Sequence, residues 1–450
     1  MLSRVPNLVK TVKIDGMHVY FSGIGGSGIA ALALIAKEAG YQVSGSDVQT
    51  SSSIEYLKSH GIEDIHIGQT AEQIAKVHEL KPIDWLVYSS ALPKTDPNHT
   101  ELAWCERNGV KSSKRDEFLG KLINDNKQKL VAIAGTHGKT TTTAMVIWLF
   151  KELGIPASYS VGAKLSFGDS GHFDPTSQYF IYEADEYDRN FLSFYPELAL
   201  ITGIDWDHPD IYPTRDEYYS AFREFLKQSI GSVVWRSDAE RLSLAKKDSV
   251  ELIDEEDPQI KGLKLPGLVN RQNAWQAVKA ANLLLSKDGP RKVEEYVQIM
   301  NRFPGVSRRF EEIAPNIYSD YAHTPAKIRG ALQLASETAG KNVVVVYEGL
   351  HNTRQHFIKE DLATLFDEVK HLYIVPSYLA REDPNLELLT PEKIVGLLSD
   401  STKKHAETAQ LNDKLKTKID THVAQGDLVL CLSAGSGGSL DEWLREEFVT

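Results

Sequence analysis

The sequence contains almost no cysteine. Among its 450 residues only Cys105 and Cys431 occur, and they stand far apart in the chain. Two distant cysteines cannot build a disulfide framework, and neither belongs to a C-x-x-C pair that would bind a metal or carry a redox centre. The composition therefore excludes a disulfide-stabilised secreted domain and predicts a protein of the reducing cytoplasm.

Long hydrophobic runs are also missing. No run approaches the roughly 18 apolar residues of a membrane span. The first residues, MLSRVPNLVKTVKIDG, contain no uninterrupted apolar segment of the kind that signal peptides have. We therefore expect neither export nor a membrane anchor.

Positive charge is in short supply. The 62 acidic residues outnumber the 50 basic residues, and the formal net charge is -12. This balance disfavours nucleic acid or an anionic membrane as a bulk partner, so we predict neither, while a local basic site for a small anion is compatible with it. The sequence shows no apolar stripe from which an oligomeric state can be predicted.

What the sequence does contain is a repeated alternation of strands and helices. Short apolar runs, each followed by a glycine turn and a helical pattern, occur in MHVYFSGIGGSG, KLVAIAGTHGK and KNVVVVYEGLH. This pattern predicts an α/β fold with parallel sheets, and runs such as DLVLCL read as strands buried on both faces. The length predicts about three domains.

Polar segments at 122–129 and 302–312 divide the chain. We predict an N-terminal Rossmann-like parallel sheet over residues 1–126, a central domain of the P-loop ATPase type over 127–310, and a C-terminal Rossmann-like domain over 311–450.

The first glycine motif is GIGGSG, from Gly23 to Gly28. It follows a predicted strand and opens a helix, and Asp47 ends the next predicted strand. Such glycines let backbone N–H groups approach a pyrophosphate, and the acid can bind a ribose. The motif does not distinguish NAD, FAD and UDP-sugars. The alternative interpretation is a glycine turn that only packs the helix against the strand.

The second glycine motif lies in VAIAGTHGKTTTTAM, residues 131–145. The usual G-x-x-x-x-G-K-[ST] pattern needs a glycine where this chain has Ile133, so the loop from Gly135 to Thr140 is two residues short. Backbone donors, the helix dipole, the Lys139 ammonium and the Thr140 hydroxyl nevertheless converge there. These groups suit a β- or γ-phosphate and Mg²⁺. A strand–helix turn with an incidental lysine is the alternative.

Two acidic segments follow predicted strands of the central domain. YFIYEADEYDRNFL and LALITGIDWDHPDIY supply Glu183, Asp185, Glu186 and Asp188, and then Asp205, Asp207, His208 and Asp210. Ligands of open α/β sheets bind beyond the carboxyl ends of the strands, and oxygen donors with one imidazole suit Mg²⁺ or Mn²⁺. Solvated loop acids are the alternative, and no spacing of Cys or His indicates structural zinc.

Taken in order, the motifs resemble the Mur ligases, which build the peptidoglycan precursor in the bacterial cytoplasm. The chain carries GTHGKT after a strand, then EADE, DWDHPD, RRF and DYAHTP, so the resemblance covers essentially its whole length. The phosphate loop of that family is the short one, which accounts for the missing glycine. The resemblance implies an ATP-dependent C–N ligase that uses ATP and Mg²⁺ and joins a free amino acid to UDP-N-acetylmuramate through an acyl phosphate.

The resemblance also implies roles for particular residues. It implies catalytic roles for Lys139, His208, Arg309 and His323. It implies metal binding by Thr140, Glu183 and His208. It implies ATP binding by Gly135, Thr136, His137, Gly138, Lys139, Thr140, Thr141, Asn270, Asn273, Arg309 and Asp320. It implies substrate binding by Gly23, Gly25, Gly26, Ser27, Gly28, Asp47, Ser89, Ser90, His323 and Arg354.

The amino acid expected from the resemblance is L-alanine, with a recycled L-Ala-γ-D-Glu-diaminopimelate tripeptide as the alternative. Three positions differ from the residues that alanine-adding members of the family usually carry. They are Val269 before Asn270, Thr324 in DYAHTP, and Leu350–His351 before Arg354. Without the resemblance, the structural interpretation is favoured for each of these residues, with Arg308 and Arg309 as a surface charge pair, Asn273 as a helix cap and His323 as a loop histidine.

Two alternative functions would account for only some of these motifs. An NAD-dependent oxidoreductase would account for GIGGSG and Asp47 but not for the second glycine motif. A nucleotide-gated interaction protein would account for the second motif but not for the first and third domains.

Overall fold

The computed structural model describes residues 16–90, 92–208, 211–244, 249–286, 289, 291–379, 382–435 and 437–449. The chain forms two compact units. The first contains the residues up to Leu263 together with Asn273–Phe303, and the second contains Lys264–Gln272 and the residues from Pro304 onward. The first unit holds two sheets and the second unit holds one.

The first sheet is entirely parallel. Its strands are β1 (His18–Ser22), β2 (Gln42–Asp47), β3 (Ile65–Ile67), β4 (Trp85–Tyr88) and β5 (Lys111–Lys114). They pair in the order β3-β2-β1-β4-β5. The helices between and after them are α1 (Ser27–Glu38), α2 (Ser52–Ser59), α3 (Ala71–Leu80), α4 (Leu92–Thr95), α5 (Thr100–Asn108) and α6 (Arg115–Asp125).

The second sheet is parallel except at one edge. Its strands are β6 (Lys129–Ala134), β7 (Ser158–Ser160), β8 (Gly171–His172), β9 (Tyr179–Glu183), β10 (Leu198–Ile201), β11 (Gly231–Trp235) and β12 (Val250–Ile253). They pair in the order β12-β11-β10-β6-β9-β7-β8, and only β7 and β8 are antiparallel. The α-helices that follow are α7 (Lys139–Glu152), α8 (Arg215–Gln228), α9 (Arg236–Arg241), α10 (Leu268–Leu285) and α11 (Val293–Met300), with 3₁₀ helices over Tyr187–Ser193 and Pro258–Gly262.

The third sheet has one antiparallel edge strand. Its strands are β13 (Glu311–Ala314), β14 (Ile317–Asp320), β15 (Val343–Leu350), β16 (His371–Tyr378), β17 (Ala406–Thr408) and β18 (Leu428–Leu432). They pair in the order β13-β14-β18-β15-β16-β17, with β13 antiparallel to β14. The helices are α12 (Pro325–Ala339), α13 (Asn352–Leu365), α14 (Pro391–Leu397), α15 (Asp400–Lys403), α16 (Asp413–Ala424) and α17 (Leu440–Phe448).

The predicted α/β class with parallel sheets is therefore confirmed. The apolar runs read as doubly covered strands are indeed buried, because every residue of β15 and β18 is buried. The boundaries of the three domains predicted from the sequence stay predictions.

One continuous core joins the two sheets of the first unit. Phe118 on α6 lies edge-on to Phe21 of β1 and Trp85 of β4, with ring centroids 5.8 and 5.0 Å apart. Between the sheets, Gly171 in β8 lies against the backbone of Ala31 in α1, so close that any larger side chain would collide with it. The two glycine motifs thus belong to the same packed body.

Both cysteines are buried thiols, Cys105 in α5 and Cys431 in β18. In the part of the chain that the structure describes, no helix combines the length and the apolar character needed to cross a membrane.

Candidate active site

The turn of the second glycine motif, between β6 and α7, requires glycine at two positions. Gly135 and Gly138 both have positive φ angles, of 142° and 76°. A Cβ at Gly135 would lie 2.9 Å from the carbonyl oxygen of Gly203, and one at Gly138 would lie 2.8 Å from Asn273 Oδ1. A residue with a side chain at either position would strain the backbone and collide with these neighbours. Asn273, predicted to contact ATP, therefore packs directly against this loop.

The amino terminus of α7 is open to an anion. Its N-cap residue is Gly138, and within the described chain neither a capping side chain nor an acid in the first turn occupies the helix start. The first N–H groups of a helix have no partner inside the helix and carry the positive end of its dipole. This helix end is therefore suited to a phosphate group.

The Lys139 ammonium lies beside a buried carboxylate. Its Nζ is 2.7 Å from Glu186 Oε2 and 3.0 Å from Oε1, and it also donates to the carbonyl oxygen of Gly135. The side chain of Glu186 is only 1% exposed. Burial lowers the pKa of Lys139, but the carboxylates of Glu186 and Asp185 more than offset this and hold the pKa above its usual value. These carboxylates therefore favour the charged form of Lys139.

Thr140, in the first turn of α7, lies beside Glu183 at the end of β9. Because β6 and β9 pair in parallel with Ile133 opposite Glu183, the end of β9 lies beside the loop. The Thr140 hydroxyl donates to Glu183 Oε1 at 2.8 Å, and the Gly162 N–H donates to Oε2 at 2.6 Å. The structure thus brings together two of the three residues predicted to bind a metal.

His208, the third of them, lies near the same buried acid as Lys139. Its Nε2 is 3.8 Å from Glu186 Oε1 and 3.9 Å from Asp207 Oδ2. Asp210 lies outside the described residues. Among the described residues no three Asp, Glu, His or Cys side chains converge as a metal cage. Mg²⁺ usually takes one or two carboxylates and completes its shell with water and substrate phosphates, so a protein-only cage is not required.

Thr136 and His137 are engaged within the protein. The Thr136 hydroxyl donates to the carbonyl oxygen of Asp205 at 2.6 Å and accepts the Asp205 N–H at 2.9 Å, while the Thr136 N–H donates to Gly203. The His137 imidazole lies 3.9 Å from the Asp205 carboxylate and lowers its pKa. These contacts fix the phosphate loop to the segment after β10.

The first glycine motif is held by Asp47. Its Oδ2 accepts the Gly25 N–H at 2.8 Å and its Oδ1 accepts the Val48 N–H at 2.8 Å. A Cβ at Gly25 would lie 2.9 Å from the same carboxylate. Asp47, predicted to bind substrate, therefore shapes the loop in this structure. Ser27 begins α1, and Gly26 caps that helix without a side-chain hydrogen bond.

Ser89 and Ser90 follow β4 in the same sheet. The Ser90 hydroxyl is buried and accepts a hydrogen bond from Asn190 Nδ2 at 3.2 Å. The carbonyl oxygen of Ser89 accepts the Leu92 N–H. Ser90 thus links the first sheet to the segment that follows β9.

The second unit groups Arg309, Asp320 and His323. The Arg309 guanidinium lies 4.8 Å from the centre of the Tyr321 ring, and Asp320 Oδ2 accepts the Phe310 N–H at 2.8 Å. Burial raises the pKa of Asp320, and the Arg309 charge opposes that shift. Arg308 has a different environment, because its Nη2 donates to the carbonyl oxygens of Ser433 and Gly435.

His323 is a neutral imidazole. Burial lowers its pKa well below the usual value, and the charges of Lys327, Arg354 and Arg309 lower it further. Its Nδ1 lies 2.9 Å from the carbonyl oxygen of Tyr321. Because a carbonyl oxygen only accepts, Nδ1 carries the proton and Nε2 presents a lone pair.

Arg354 and Asn270 lie at helix starts in this unit. Arg354 is in the first turn of α13 and is close enough to His323 to influence its pKa. Asn270 is in the first turn of α10, where its Nδ2 donates to the carbonyl oxygen of Pro266 at 3.0 Å.

Comparisons with known proteins place the chain in a family. Residues 18–127 match the model "Mur ligase family, catalytic domain", residues 133–258 the "Mur ligase middle domain", and residues 308–435 the "Mur ligase, glutamate ligase domain". A UDP-N-acetylmuramate–L-alanine ligase from Cytophaga hutchinsonii is 30% identical over 91% of this chain and 93% of its own length. The chain belongs to the Mur ligase family. As a Mur ligase it is an ATP-dependent ligase.

Two solved structures share the Mur ligase fold. The UDP-N-acetylmuramate-alanine ligase of Thermotoga maritima has a TM-score of 0.73 at 22% identity, covering 96% of this chain and 98% of its own. A murein peptide ligase from Psychrobacter arcticus has a TM-score of 0.63 at 21% identity, covering 95% and 99%. At these identities the likeness supports the three-domain Mur ligase architecture.

Two residues of this Mur ligase have contacts that the sequence did not predict. Glu186 was one of several acids after β9, and only the fold shows that it is the buried partner of Lys139. Arg115, the first residue of α6, carries no motif, yet its guanidinium contacts the first glycine motif and Asp185. For Glu186 the acidic segment was a signal, whereas for Arg115 the sequence offered none.

Proposed function

We propose that this Mur ligase joins L-alanine to UDP-N-acetylmuramate at the expense of ATP, in a cytoplasmic step of peptidoglycan synthesis. The observation that carries the proposal is the uncapped start of α7 with Lys139 beside it and the Thr140–Glu183 pair within reach. The names of the similar ligases from Cytophaga and Thermotoga support the two substrates.

In the proposed reaction the carboxylate of the UDP-sugar attacks the γ-phosphate of ATP and displaces ADP. The resulting acyl phosphate is attacked at its carbonyl carbon by the amine of L-alanine, and phosphate leaves as the amide bond forms. Charge repulsion between carboxylate and phosphate opposes the first step, so fixed positive groups lower the barrier. Lys139 and the N–H groups of α7 would supply that charge.

Mg²⁺ is the metal that the donor set fits. A hydroxyl, a carboxylate and an imidazole, from Thr140, Glu183 and His208, are hard or borderline ligands that suit it. When bound, Mg²⁺ would neutralise phosphate charge. Thr140 and Glu183 are already hydrogen-bonded, so the ligand oxygens are oriented before a metal arrives.

The family resemblance assigns roles to residues of the second unit as well. Arg309 would be a cation for the transferring phosphate, and Asp320 would hold the ATP ribose. His323 presents the Nε2 lone pair, which would accept a hydrogen bond from the attacking amine. Arg354 would pair with the carboxylate of the amino acid, for which a guanidinium fork is well shaped.

The deciding experiment is phosphate release from ATP with Mg²⁺ and UDP-N-acetylmuramate, compared for L-alanine, L-serine, glycine and L-Ala-γ-D-Glu-diaminopimelate. We expect release with L-alanine. Release with the tripeptide alone would replace the proposal by attachment of the recycled tripeptide, which the residues at Thr324, Leu350 and His351 leave as the second candidate. The similar Psychrobacter protein is a murein peptide ligase. Silence with every donor would contradict both.

Arg354→Ala should change the KM for the amino acid far more than the KM for ATP. Losing one charge-assisted, bidentate contact is expected to raise the KM for L-alanine about 10- to 100-fold. The KM for ATP should change less than about threefold, because that contact concerns only the amino acid. Steady-state kinetics with each substrate varied in turn measures both.

Arg329→Ala is the matched control for Arg354. It removes a guanidinium of the same unit that pairs with Asp361 at the surface, and neither KM should change. Equal effects of Arg354→Ala on both substrates would remove its proposed role.

A further inference from the structure

The segment that follows β9 has contacts on two sides. Glu183 and Glu186 contact the phosphate loop through Thr140 and Lys139. Asp185, which lies between them in sequence, points instead to the first sheet and pairs with Arg115 at 2.9 Å. One short stretch of chain therefore lies between the phosphate loop and the first glycine motif.

Arg115 lies over the first glycine motif. It is the first residue of α6, directly after β5. Its Nη1 overlaps the position that a Cβ would take at Gly28, so a side chain there would displace the guanidinium. Glycine at this position thus allows the cation to approach the loop and the start of α1.

The guanidinium is partly accessible and lies near two carboxylates. Its side chain is 20% exposed, and Asp185, its direct partner, is 37% exposed. The buried Asp116 lies 3.6 Å from Nε and itself accepts a hydrogen bond from the Tyr182 hydroxyl at 3.2 Å. The Asp185 carboxylate is thus an exposed anion on an arginine that faces a glycine loop, and a substrate anion could take its place on the guanidinium.

We propose that Arg115 binds an anionic group of the UDP-sugar, and that Asp185 is the internal anion which occupies Arg115 until the substrate arrives. The inference rests on the proposed function and adds a specific residue to it. A guanidinium fork fits the oxygens of a pyrophosphate and those of a carboxylate, and the UDP-sugar carries both groups.

A purely structural ion pair would behave differently. If Arg115 and Asp185 only held the two sheets together, removing either partner would weaken substrate binding in the same direction. If Asp185 competes with the substrate, removing its charge strengthens binding, while removing the charge of Arg115 weakens it. The two substitutions therefore have opposite signs under the proposal.

Isothermal titration of the full chain with UDP-N-acetylmuramate tests this. We expect Arg115→Gln to raise Kd about 10- to 100-fold, as for a lost charge-assisted contact. Arg115→Lys should fall between it and the unsubstituted chain, and Asp185→Asn should lower Kd by about 2- to 10-fold, the gain from removing a weak exposed competitor. Thermal unfolding and ATP binding of each variant check that its fold and its phosphate loop are intact.

The matched control is Lys114→Gln. Lys114 makes a 2.9 Å ion pair with Asp188, between the same two segments, and neighbours Arg115 in sequence. Its substitution should leave Kd within about twofold, because an exposed ion pair of this kind contributes little.

A second ligand identifies the group that is bound. UDP-N-acetylglucosamine has the pyrophosphate but lacks the lactyl carboxylate. An equal loss of affinity for both sugars in Arg115→Gln supports pyrophosphate binding, and a loss for UDP-N-acetylmuramate alone supports carboxylate binding.

Two results overturn the inference. One is that Arg115→Gln and Arg115→Lys bind as tightly as the unsubstituted chain, and the other is that Asp185→Asn weakens binding as Arg115→Gln does. If the unsubstituted chain fails to bind UDP-N-acetylmuramate at all, the proposed function itself fails, which is a distinguishable outcome.

Discussion

Replacing Lys139 with alanine is expected to reduce ATP-dependent phosphate release about 10²- to 10³-fold or more, the loss typical of removing a preorganised charge. Its ammonium lies at the uncapped start of α7, where no other cation of the phosphate loop can replace it. Binding of UDP-N-acetylmuramate should be nearly unchanged, because the first glycine motif is intact. Turnover at the original rate would show that the loop is not the ATP site.

The same substitution also affects stability, and the two effects need to be separated. Lys139→Ala leaves the carboxylate of Glu186, which is 1% exposed, without its cation. Breaking a buried ion pair in this way typically costs about 3–5 kcal/mol. The double variant Lys139→Ala/Glu186→Gln removes the orphaned charge, so we expect it to recover thermal stability but not activity.

Glu183→Gln is expected to have the second largest effect. The change keeps the shape of the side chain but removes the charge that faces Thr140, so the donor set for Mg²⁺ loses its carboxylate. We expect kcat to fall about 100-fold, the scale of a damaged metal shell. The Mg²⁺ concentration that gives half-maximal activity should rise as well. A titration of activity with Mg²⁺ measures both quantities.

The control for Glu183 is Glu240→Gln, an exposed acid on α9 of the same unit. It should leave both quantities unchanged. Should Glu183→Gln lower kcat without altering the Mg²⁺ dependence, Glu183 would act by positioning Thr140 and not as a metal ligand.

Much of the fold was predictable from the sequence because its signals are local. Continuous apolar runs followed by glycine turns predicted the strands of parallel sheets, and β15 and β18 are buried as expected. Lys139 and Thr140 are adjacent in one motif, so their convergence on a helix start followed from the chain itself. The pairing of Glu183 with Thr140 needed only that β6 and β9 be neighbours.

Contacts that depend on the directions of individual side chains were not predictable. The segment after β9 places Glu186 against Lys139 and Asp185 against Arg115, and Asp188 and Arg189 in the same segment adopt left-handed backbone angles, with φ of 54° and 58°. Nothing in the composition of that segment specifies these angles.

Polar residues of the glycine motifs show the same limit. Asp47 and Thr136 are of types that bind ligands, and the resemblance gave them such roles. In the structure Asp47 accepts the Gly25 N–H, and Thr136 bonds to the backbone of Asp205. The sequence alone does not show whether such a side chain bonds to a ligand or to the backbone. The backbone groups that compete for it come from other parts of the chain.

The burial of both thiols makes the molecule convenient for labelling. Burial raises the pKa of Cys105 to about 12 and also raises that of Cys431, and the thiolate is the form that reacts with maleimides. We therefore expect the two native thiols to react little with maleimides, so an introduced cysteine can be labelled selectively. One fluorophore at an exposed site of each unit, through Glu240→Cys and Lys404→Cys, would allow energy transfer between the units to be followed as each substrate is added.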